Sequence, residues 1–259
     1  MFTKIYYVNL DRRPDRKENV ISELKKINYN GKVERISAID GTLFDIKYIS
    51  DKLITPKGKD YASGKIITTD RSNMTKGGIG CALSHAIILK KILEGDDEYA
   101  LILEDDIWFA EDFNNKLKKV INSVKNYDIL WIGHHNRNYV SKGNIVDIPS
   151  KIWGTFGYIV NKKAALELLN VFPITLQVDN EMPRCFNKLK VYSVKEDDQL
   201  VLSEHSLASF RFGSDIQTRP IDMTVKATIK TISKETISKE TISNKTVPNK
   251  ALALFLHKK

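Results

Sequence analysis

Three consecutive carboxylate side chains follow a short apolar run in this chain. Residues 101–103 are Leu-Ile-Leu, and Glu104, Asp105 and Asp106 come directly after them. An apolar run of this kind predicts a buried strand of a parallel sheet. Because side chains alternate along a strand, Glu104 and Asp106 are expected on one side and Asp105 on the other. Two carboxylates on one face suit a hard divalent cation such as magnesium or manganese. An acidic loop or a first helical turn would explain the same residues without a metal.

The elements that must position these acids alternate between strand and helix patterns. Helices are predicted to begin near Pro14, at the glycine-rich segment 77–80, at residue 111, and after Asn161, which can cap the helix over 164–169. The intervening region 42–76 has weak periodicity and is expected to be a long irregular connection. The predicted strands cover residues 5–8, 33–36, 99–103, 127–132, 153–160 and 191–194. This order predicts an α/β fold with a mainly parallel central sheet flanked by helices. Ligands bind such sheets at the carboxyl ends of the strands.

The overall composition is that of a globular protein. Of the 259 residues, 42% are hydrophobic, which supports a sizeable core and argues against global disorder. The apolar runs are shorter than the ~20 residues that a membrane-spanning helix needs, and the first ten residues lack a signal-peptide pattern. Cys81 and Cys185 form no disulfide framework and are expected to be small buried apolar side chains. We therefore expect a cytoplasmic protein.

The net charge of +9 is concentrated at the C-terminal end. Residues 221–259 carry eight lysines and three acidic side chains, a net +5, which leaves about +4 on the preceding 220 residues. This mildly basic remainder gives no reason to expect a nucleic-acid partner. Residues 231–245 read TISKE, TISKE and TISNK, a low-complexity repeat. We predict a folded domain over 1–220 and a flexible tail over 221–259. The apolar end of the tail at 251–256 could pack on the domain, bind a partner chain or contact a membrane surface.

Three separated segments carry further information because they occur in a fixed order. They are IYYVNLDRRPDR at 5–16, GIGCALSH at 78–85 and LILEDD at 101–106. Shorter supporting segments lie at 38–41, 154–158, 178–179 and 214–215. The set resembles glycosyltransferase family 25, which includes lipooligosaccharide and procollagen galactosyltransferases, and the resemblance spans residues 2 to about 217.

This resemblance implies a GT-A-like nucleotide-sugar-binding fold, Mn²⁺ (or Mg²⁺) and an inverting transfer of a hexose. The donor would be a UDP-sugar, most typically UDP-galactose, and the acceptor a glycan or a hydroxylated protein, as in lipopolysaccharide biosynthesis or collagen glycosylation. Glu104 and Asp106 would hold the ion, with Asp215 as a third metal ligand. An inverting displacement also needs a base, for which a carboxylate is usual. Asp179 is the first choice for this catalytic residue and Glu181 the second.

The donor is expected to contact residues near the strand ends and the glycine turn. Two glycines before a helix permit close backbone approach, and a helix N-terminus attracts anions. The glycine run lacks the third glycine of a dinucleotide fingerprint and the lysine of a P-loop. The residues near the first strand could equally serve only to start the first helix. The predicted donor-binding residues are Asn9, Leu10, Asp11, Arg13, Asp40, Gly78, Gly80, Ser84, His85 and Asp105.

Two other functions are compatible with these residues. Clustered acids also suit a metal-dependent nuclease or phosphodiesterase, although no lysine accompanies the acids near residue 104. A catalytically inactive module that still binds a nucleotide sugar is the other alternative. The sequence also departs from the family pattern at Gln177, where proline commonly precedes Val-Asp, so the geometry around Asp179 is open.

Overall fold

The computed structural model describes residues 2–43, 45–124, 126–135, 146–147, 149–195 and 198–203. The predicted tail over 221–259 and Asp215 lie outside this part of the chain. The strands are β1 (Lys4–Asn9), β2 (Lys32–Ser37), β3 (Tyr99–Leu103), β4 (Ile107–Phe109), β5 (Ile129–Gly133), β6 (Val146–Asp147), β7 (Gly157–Asn161), β8 (Val191–Val194) and β9 (Val201–Ser203). The α-helices are α1 (Pro14–Lys26), α2 (Pro56–Ser63), α3 (Lys76–Glu94), α4 (Phe113–Ser123), α5 (Lys162–Leu169) and α6 (Val178–Glu181). Two short 3₁₀ helices cover Ile46–Tyr48 and Met182–Lys188.

Seven strands form one sheet in the order β2-β1-β3-β7-β5-β8-β6. Strands β1, β2, β3, β5 and β8 run in one direction, while β7 and β6 run against them. The expected α/β fold with a mainly parallel sheet is therefore confirmed. Because β7 is antiparallel, its amino end lies beside the carboxyl ends of β3 and β5. Strands β4 and β9 pair separately as a small antiparallel sheet that the sequence did not predict.

The central strand β3 is buried on both faces, as a run of aliphatic residues predicts. Its alternate residues enter two different cores. Ile102 packs with residues of α3 and α5 on one face, whereas Leu101 and Leu103 pack with residues of α1 and α4 on the other. Helices on both faces thus hold the end of β3 in a fixed place, and the three acids follow directly from it.

Local signals explain where the helices begin. Pro14 occupies the first turn of α1, where its missing N–H costs nothing. The Asn161 side chain accepts a hydrogen bond from the Ala164 backbone N–H and caps α5 as predicted. Helix α3 begins at Lys76 with Thr75 as its cap, so Gly78 and Gly80 lie inside its first turns. The glycine segment therefore belongs to the helix itself.

The prediction of an irregular connection over 42–76 is wrong in part. Helix α2 lies within it, capped by the Thr55 hydroxyl, which accepts a hydrogen bond from the Gly58 N–H. Gly64 ends the helix in the left-handed conformation at φ 78°, which glycine adopts without strain. The Thr-Pro start and the glycine end were both visible in the sequence, but the short helix between them has too little apolar periodicity to stand out. None of the helices within the described ranges has the length and apolar character needed to cross a bilayer.

Candidate functional site

The candidate site lies at the carboxyl ends of β1 and β3 and the amino end of β7. The Glu104 backbone N–H donates to the Phe156 carbonyl at 3.3 Å, which joins the acidic segment to the residues before β7. The predicted strand over 153–160 begins only at residue 157, because the preceding residues make site contacts instead of sheet pairs. Helices α1 and α3 contribute side chains from opposite faces of the sheet.

Asp105 is bound to side chains on β1 and α1. Its Oδ2 accepts a hydrogen bond from Asn9 Nδ2 at 2.7 Å, and its Oδ1 accepts one from Arg16 Nη1 at 2.9 Å. All three side chains are buried. Asn9 Nδ2 also donates to the Arg13 carbonyl, and Asn9 Oδ1 accepts from Arg35 Nε at 2.8 Å. Asn9 and Asp105, both predicted to bind the donor, therefore join the end of β1 to the end of β3 through a hydrogen bond.

Glu104 points away from this joint, toward α3 and β7. Its Oε1 accepts a hydrogen bond from the Thr155 hydroxyl and lies 3.7 Å from His85 Nε2. The His85 ring is fully buried, and its Nδ1 is 2.8 Å from the Tyr158 hydroxyl. Burial acts to raise the Glu104 pKa, but the His85 ring and the Thr155 hydroxyl together hold this pKa below its usual value.

Asp106 has the opposite electrostatic character. Its nearest cation is Arg16, whose Nη2 lies 3.8 Å from Asp106 Oδ2, while the same guanidinium is engaged by Asp105. Burial and then the charge of Glu104 raise the pKa of Asp106 to about 7. Strand alternation predicts Glu104 and Asp106 on one side and Asp105 on the other; Glu104 does face away from Asp105, but Asp106 lies near the same guanidinium that binds Asp105. Glu104 and Asp106 together offer hard oxygen ligands with little cationic compensation, which fits Mn²⁺ or Mg²⁺.

The two candidates for the base have different surroundings. Asp179 Oδ2 accepts a hydrogen bond from the Gly154 N–H at 2.8 Å, and burial followed by the charge of Glu104 raises its pKa. Glu181 is buried, and its Oε1 accepts from the backbone N–H groups of Thr175 and Leu176 at 2.7 and 2.9 Å. Its Oε2 accepts from Arg184 at 3.0 Å. Asp179 thus faces the acids, whereas the contacts of Glu181 order its own loop.

The predicted residues Asp11 and Asp40 bind neighbouring side chains near the carboxyl ends of β1 and β2. Asp11 accepts hydrogen bonds from Arg35 and Ser37, and these bonds lower its pKa. Asp40 accepts one from Arg12 Nε at 2.7 Å. Burial acts to raise the Asp40 pKa, but bonds from Thr42 and Arg12 bring it below its usual value.

Two further predicted residues lie beside these. The Leu10 carbonyl accepts from the Arg13 N–H at 2.9 Å. The Arg13 guanidinium forms an ion pair with Asp15 at 2.8 Å. Both contacts lie at the start of α1, which agrees with the alternative that this segment serves only to begin the helix.

The three predicted residues on the first turns of α3 make close packing contacts. A Cβ atom on Gly78 would lie 2.1 Å from Gln177 Oε1, and one on Gly80 would lie 2.2 Å from the Ile39 carbonyl. Ser84 Oγ accepts from the Ile39 N–H at 2.8 Å and donates to the Gly80 carbonyl. Glycine is thus required here for the approach of two loops to the helix.

The sequence did not single out three residues that the structure brings to the site. Cys81 lies one turn before His85 on α3, and its thiol, the His85 ring and a Glu104 oxygen lie within 4.8 Å of one another. Thr155 and Tyr158 complete the surroundings of Glu104. The spacing of four between Cys81 and His85 was the available signal, because such residues share a helix face.

Comparison with protein families gives an independent identification. A model described as glycosyltransferase family 25 (LPS biosynthesis protein) matches residues 2–147, more than half of the chain. This range contains β1, α3 and the acids after β3.

Individual relatives are similar to a longer part of the chain than the family model matches. "Procollagen galactosyltransferase 2" of Homo sapiens is 26% identical over 211 residues, which cover 75% of this chain and 32% of that protein. A "Glycosyltransferase 25 family member" of Drosophila pseudoobscura pseudoobscura is 30% identical over 77% of this chain and 33% of its own length. "Inactive glycosyltransferase 25 family member 3" of Homo sapiens is 25% identical over 72% of this chain and 32% of that protein. The chain thus spans about a third of the length of these curated relatives. Since the family model matches more than half of its residues, this chain belongs to glycosyltransferase family 25.

Proposed function

We propose that this chain is a metal-dependent, inverting glycosyltransferase of the GT-A type. Its donor would be a nucleotide sugar, with UDP-galactose as the first candidate, and its acceptor a hydroxyl group on a glycan or on a hydroxylated protein. The observation that carries the proposal is the pair of half-buried carboxylates, Glu104 and Asp106, that follow the carboxyl end of β3. Membership of the family supports it.

Glu104 and Asp106 would hold the divalent cation, and Asp215 remains a predicted third ligand outside the described residues. When bound, such a cation stabilises the negative charge that develops on the leaving nucleoside diphosphate. The proximity of the two carboxylates supports this role, because Glu104 keeps its charge while burial, and then that charge, raise the Asp106 pKa to about 7. A cation would relieve this repulsion.

Asp179 is the proposed base. Its raised pKa brings it toward the range in which a carboxylate accepts a proton efficiently. The Gly154 N–H fixes one of its oxygens, and Asn180 donates to the other at 2.8 Å. In the proposed step the acceptor hydroxyl gives its proton to Asp179 as its oxygen attacks the anomeric carbon. The bond from that carbon to the diphosphate breaks, and inversion follows.

The other predicted residues would act around this centre. Asn9, Leu10, Asp11, Arg13 and Asp40 would contact the nucleoside half of the donor. The hydrogen bonds that order these residues support a preformed surface for it. Gly78, Gly80, Ser84 and His85 would hold the neighbouring loops and Glu104 in place, and Asp105 would fix the strand ends.

The test is a panel of UDP-sugars incubated with the full chain, with Mn²⁺ or with EDTA, measuring UDP release and sugar transfer. We expect manganese-dependent turnover, largest with UDP-galactose. Asp106→Asn should lower it by more than about 100-fold, since even outer-shell partners of metal ligands cost 10- to 100-fold. The exposed Asp96 is the matched control, and Asp96→Asn should leave turnover unchanged. Equal turnover in Asp106→Asn and the original chain would refute the metal role.

A second candidate is favoured by one comparison, the relative whose name calls it inactive. In that case the chain would bind a nucleotide sugar without transferring it. Calorimetric binding of UDP-galactose with no UDP release under any metal condition would support this alternative.

A further inference from the structure

A second set of ligand atoms lies against the proposed metal site, on the side of helix α3. Cys81 and His85 are four residues apart and share one face of the helix, and Glu104 approaches them from β3. One sulfur, one ring nitrogen and one carboxylate oxygen fall within 4.8 Å of one another. A tetrahedral ion with bonds of about 2.0–2.3 Å separates its ligands by distances that fit within this limit.

The His85 ring supplies the observation that points to a ligand. Its Nδ1 is occupied by the Tyr158 hydroxyl at 2.8 Å, but its Nε2 is buried without a hydrogen-bond partner. That nitrogen faces Glu104 Oε1 at 3.7 Å, too far for a hydrogen bond. A buried polar atom without a partner destabilises the folded state. A cation between the two atoms would satisfy both, and the contact to Tyr158 would fix the ring in the orientation that a metal ligand needs.

The charges around Cys81 favour a cation as well. Glu104 and Asp179 place negative charge near the Cys81 thiol, and such charge favours a bound cation. A metal ion bound to the thiol would displace its proton.

We propose that Cys81, His85 and Glu104 bind a thiophilic divalent cation of the Zn²⁺ class. Sulfur and imidazole ligands select such an ion, whereas the oxygen pair of Glu104 and Asp106 suits Mn²⁺ or Mg²⁺. Because Glu104 belongs to both sets, the two ions would compete. This last consequence depends on the proposed function: zinc should inhibit manganese-dependent transfer.

The direct test uses Co²⁺ as an optical substitute for Zn²⁺ with the full chain, reduced and free of other metals. We expect a cobalt–thiolate absorption band that saturates at about one ion per chain and disappears when Zn²⁺ is added. Cys81→Ser should abolish the band, and His85→Gln should weaken cobalt binding by at least about 10-fold. Cys185→Ser is the matched control, because Cys185 is the other free cysteine and lies in a different helix; this variant should keep the band.

The proposal is overturned if the original chain gives no thiolate band, if Cys81→Ser retains it, or if Cys185→Ser alone removes it. Circular dichroism of each variant checks that the fold is intact. If Cys81→Ser fails to fold, cobalt binding after selective alkylation of Cys81 in the Cys185→Ser background replaces it, and retention of the band contradicts the proposal. Asp106→Asn separates the two hypotheses: it should lose manganese-dependent transfer and keep the cobalt band. The band therefore tests this site even if no donor sugar is turned over.

Discussion

The three acidic residues that follow β3 differ in how their charges are compensated. On the side of Asp105, each carboxylate oxygen has a donor, Asn9 or Arg16, and the guanidinium balances the charge. On the other side, Glu104 and Asp106 share a confined space in which Arg16 approaches Asp106 only at 3.8 Å. On the Asp105 side these bonds offset burial only in part, since burial still raises the Asp105 pKa; on the other side the charge of Glu104 adds to burial and raises the Asp106 pKa to about 7.

Adjacent residues thus differ in role: Asp105 fixes the positions of the strands, whereas Glu104 and Asp106 are the proposed metal ligands. A buried charge with complete hydrogen bonding contributes to a fixed geometry, whereas crowded like charges cost stability until a ligand arrives. The raised pKa of Asp106 and the lone Nε2 of His85 are both on the crowded side. Substitutions on the two sides should therefore change stability with opposite signs.

The largest effect is expected for Arg16→Met. This change leaves the buried Asp105 carboxylate without its cation, and breaking a buried ion pair from one side costs about 3–5 kcal/mol. Urea unfolding at pH 7 measures the free energy of unfolding. The exposed Arg71 supplies the control, since Arg71→Met should change this free energy by less than about 0.5 kcal/mol. Similar losses in both variants would show that Arg16 is not specially placed.

A smaller loss is expected for Asn9→Ala. The variant removes the donor to Asp105 Oδ2 and leaves Arg35 Nε without its acceptor. Since Arg16 still binds Asp105, we expect a loss of about 2 kcal/mol in the free energy of unfolding. Asn170→Ala at an exposed position should be near neutral in the same urea titration. A neutral Asn9→Ala variant would mean that the joint between β1 and β3 does not depend on this amide.

The smallest effect, and the one of opposite sign, is expected for Asp106→Asn in the metal-free protein. Removing a charge that is repelled in the folded state should raise the free energy of unfolding at pH 8 by about 1 kcal/mol or more, because one unit of pKa elevation corresponds to about 1.4 kcal/mol. Asp96→Asn should not raise it. A loss of stability in Asp106→Asn would contradict the crowding that defines this side.

The same variant gives a pH test. The folded pKa of Asp106, about 7, lies above the value of an unfolded aspartate. The destabilisation of the folded state by the ionised Asp106 carboxylate is therefore absent near pH 4, grows as the pH rises, and is complete above about pH 7. The stability difference between Asp106→Asn and the original chain, measured in EDTA, should therefore widen as the pH rises from 4 to 7 and stay constant above. A difference in the free energy of unfolding that does not vary with pH would show that the Asp106 pKa is not raised in the folded protein.

Local patterns in the sequence predicted much of the scaffold. Pro14 marked the start of α1, Asn161 capped α5, and the aliphatic run before Glu104 identified the buried strand β3. Each of these signals acts within a few residues, so a single sequence contains it. Strand alternation also separated Asp105 from Glu104, whereas Asp106 lies near the guanidinium that binds Asp105.

The contacts that define the site join distant segments, which explains why they were not predicted. Asp105 meets Arg16 across 89 positions, and Glu104 meets Thr155 across 51. His134, which follows β5, is buried with its Nε2 2.8 Å from the Val194 carbonyl oxygen, and burial lowers its pKa to about 4. Residue types alone do not distinguish such a packed histidine from His85.

Helix α3 also links parts of the molecule that are remote in sequence. Its first turns lie against the Ile39 carbonyl at Gly80 and the Gln177 side chain at Gly78; Cys81 directly follows Gly80, and His85 is one turn further along. Because one continuous helix holds all four residues, we expect a bulkier side chain at Gly80 that displaces the start of α3 to displace the Cys81 thiol and the His85 ring as well.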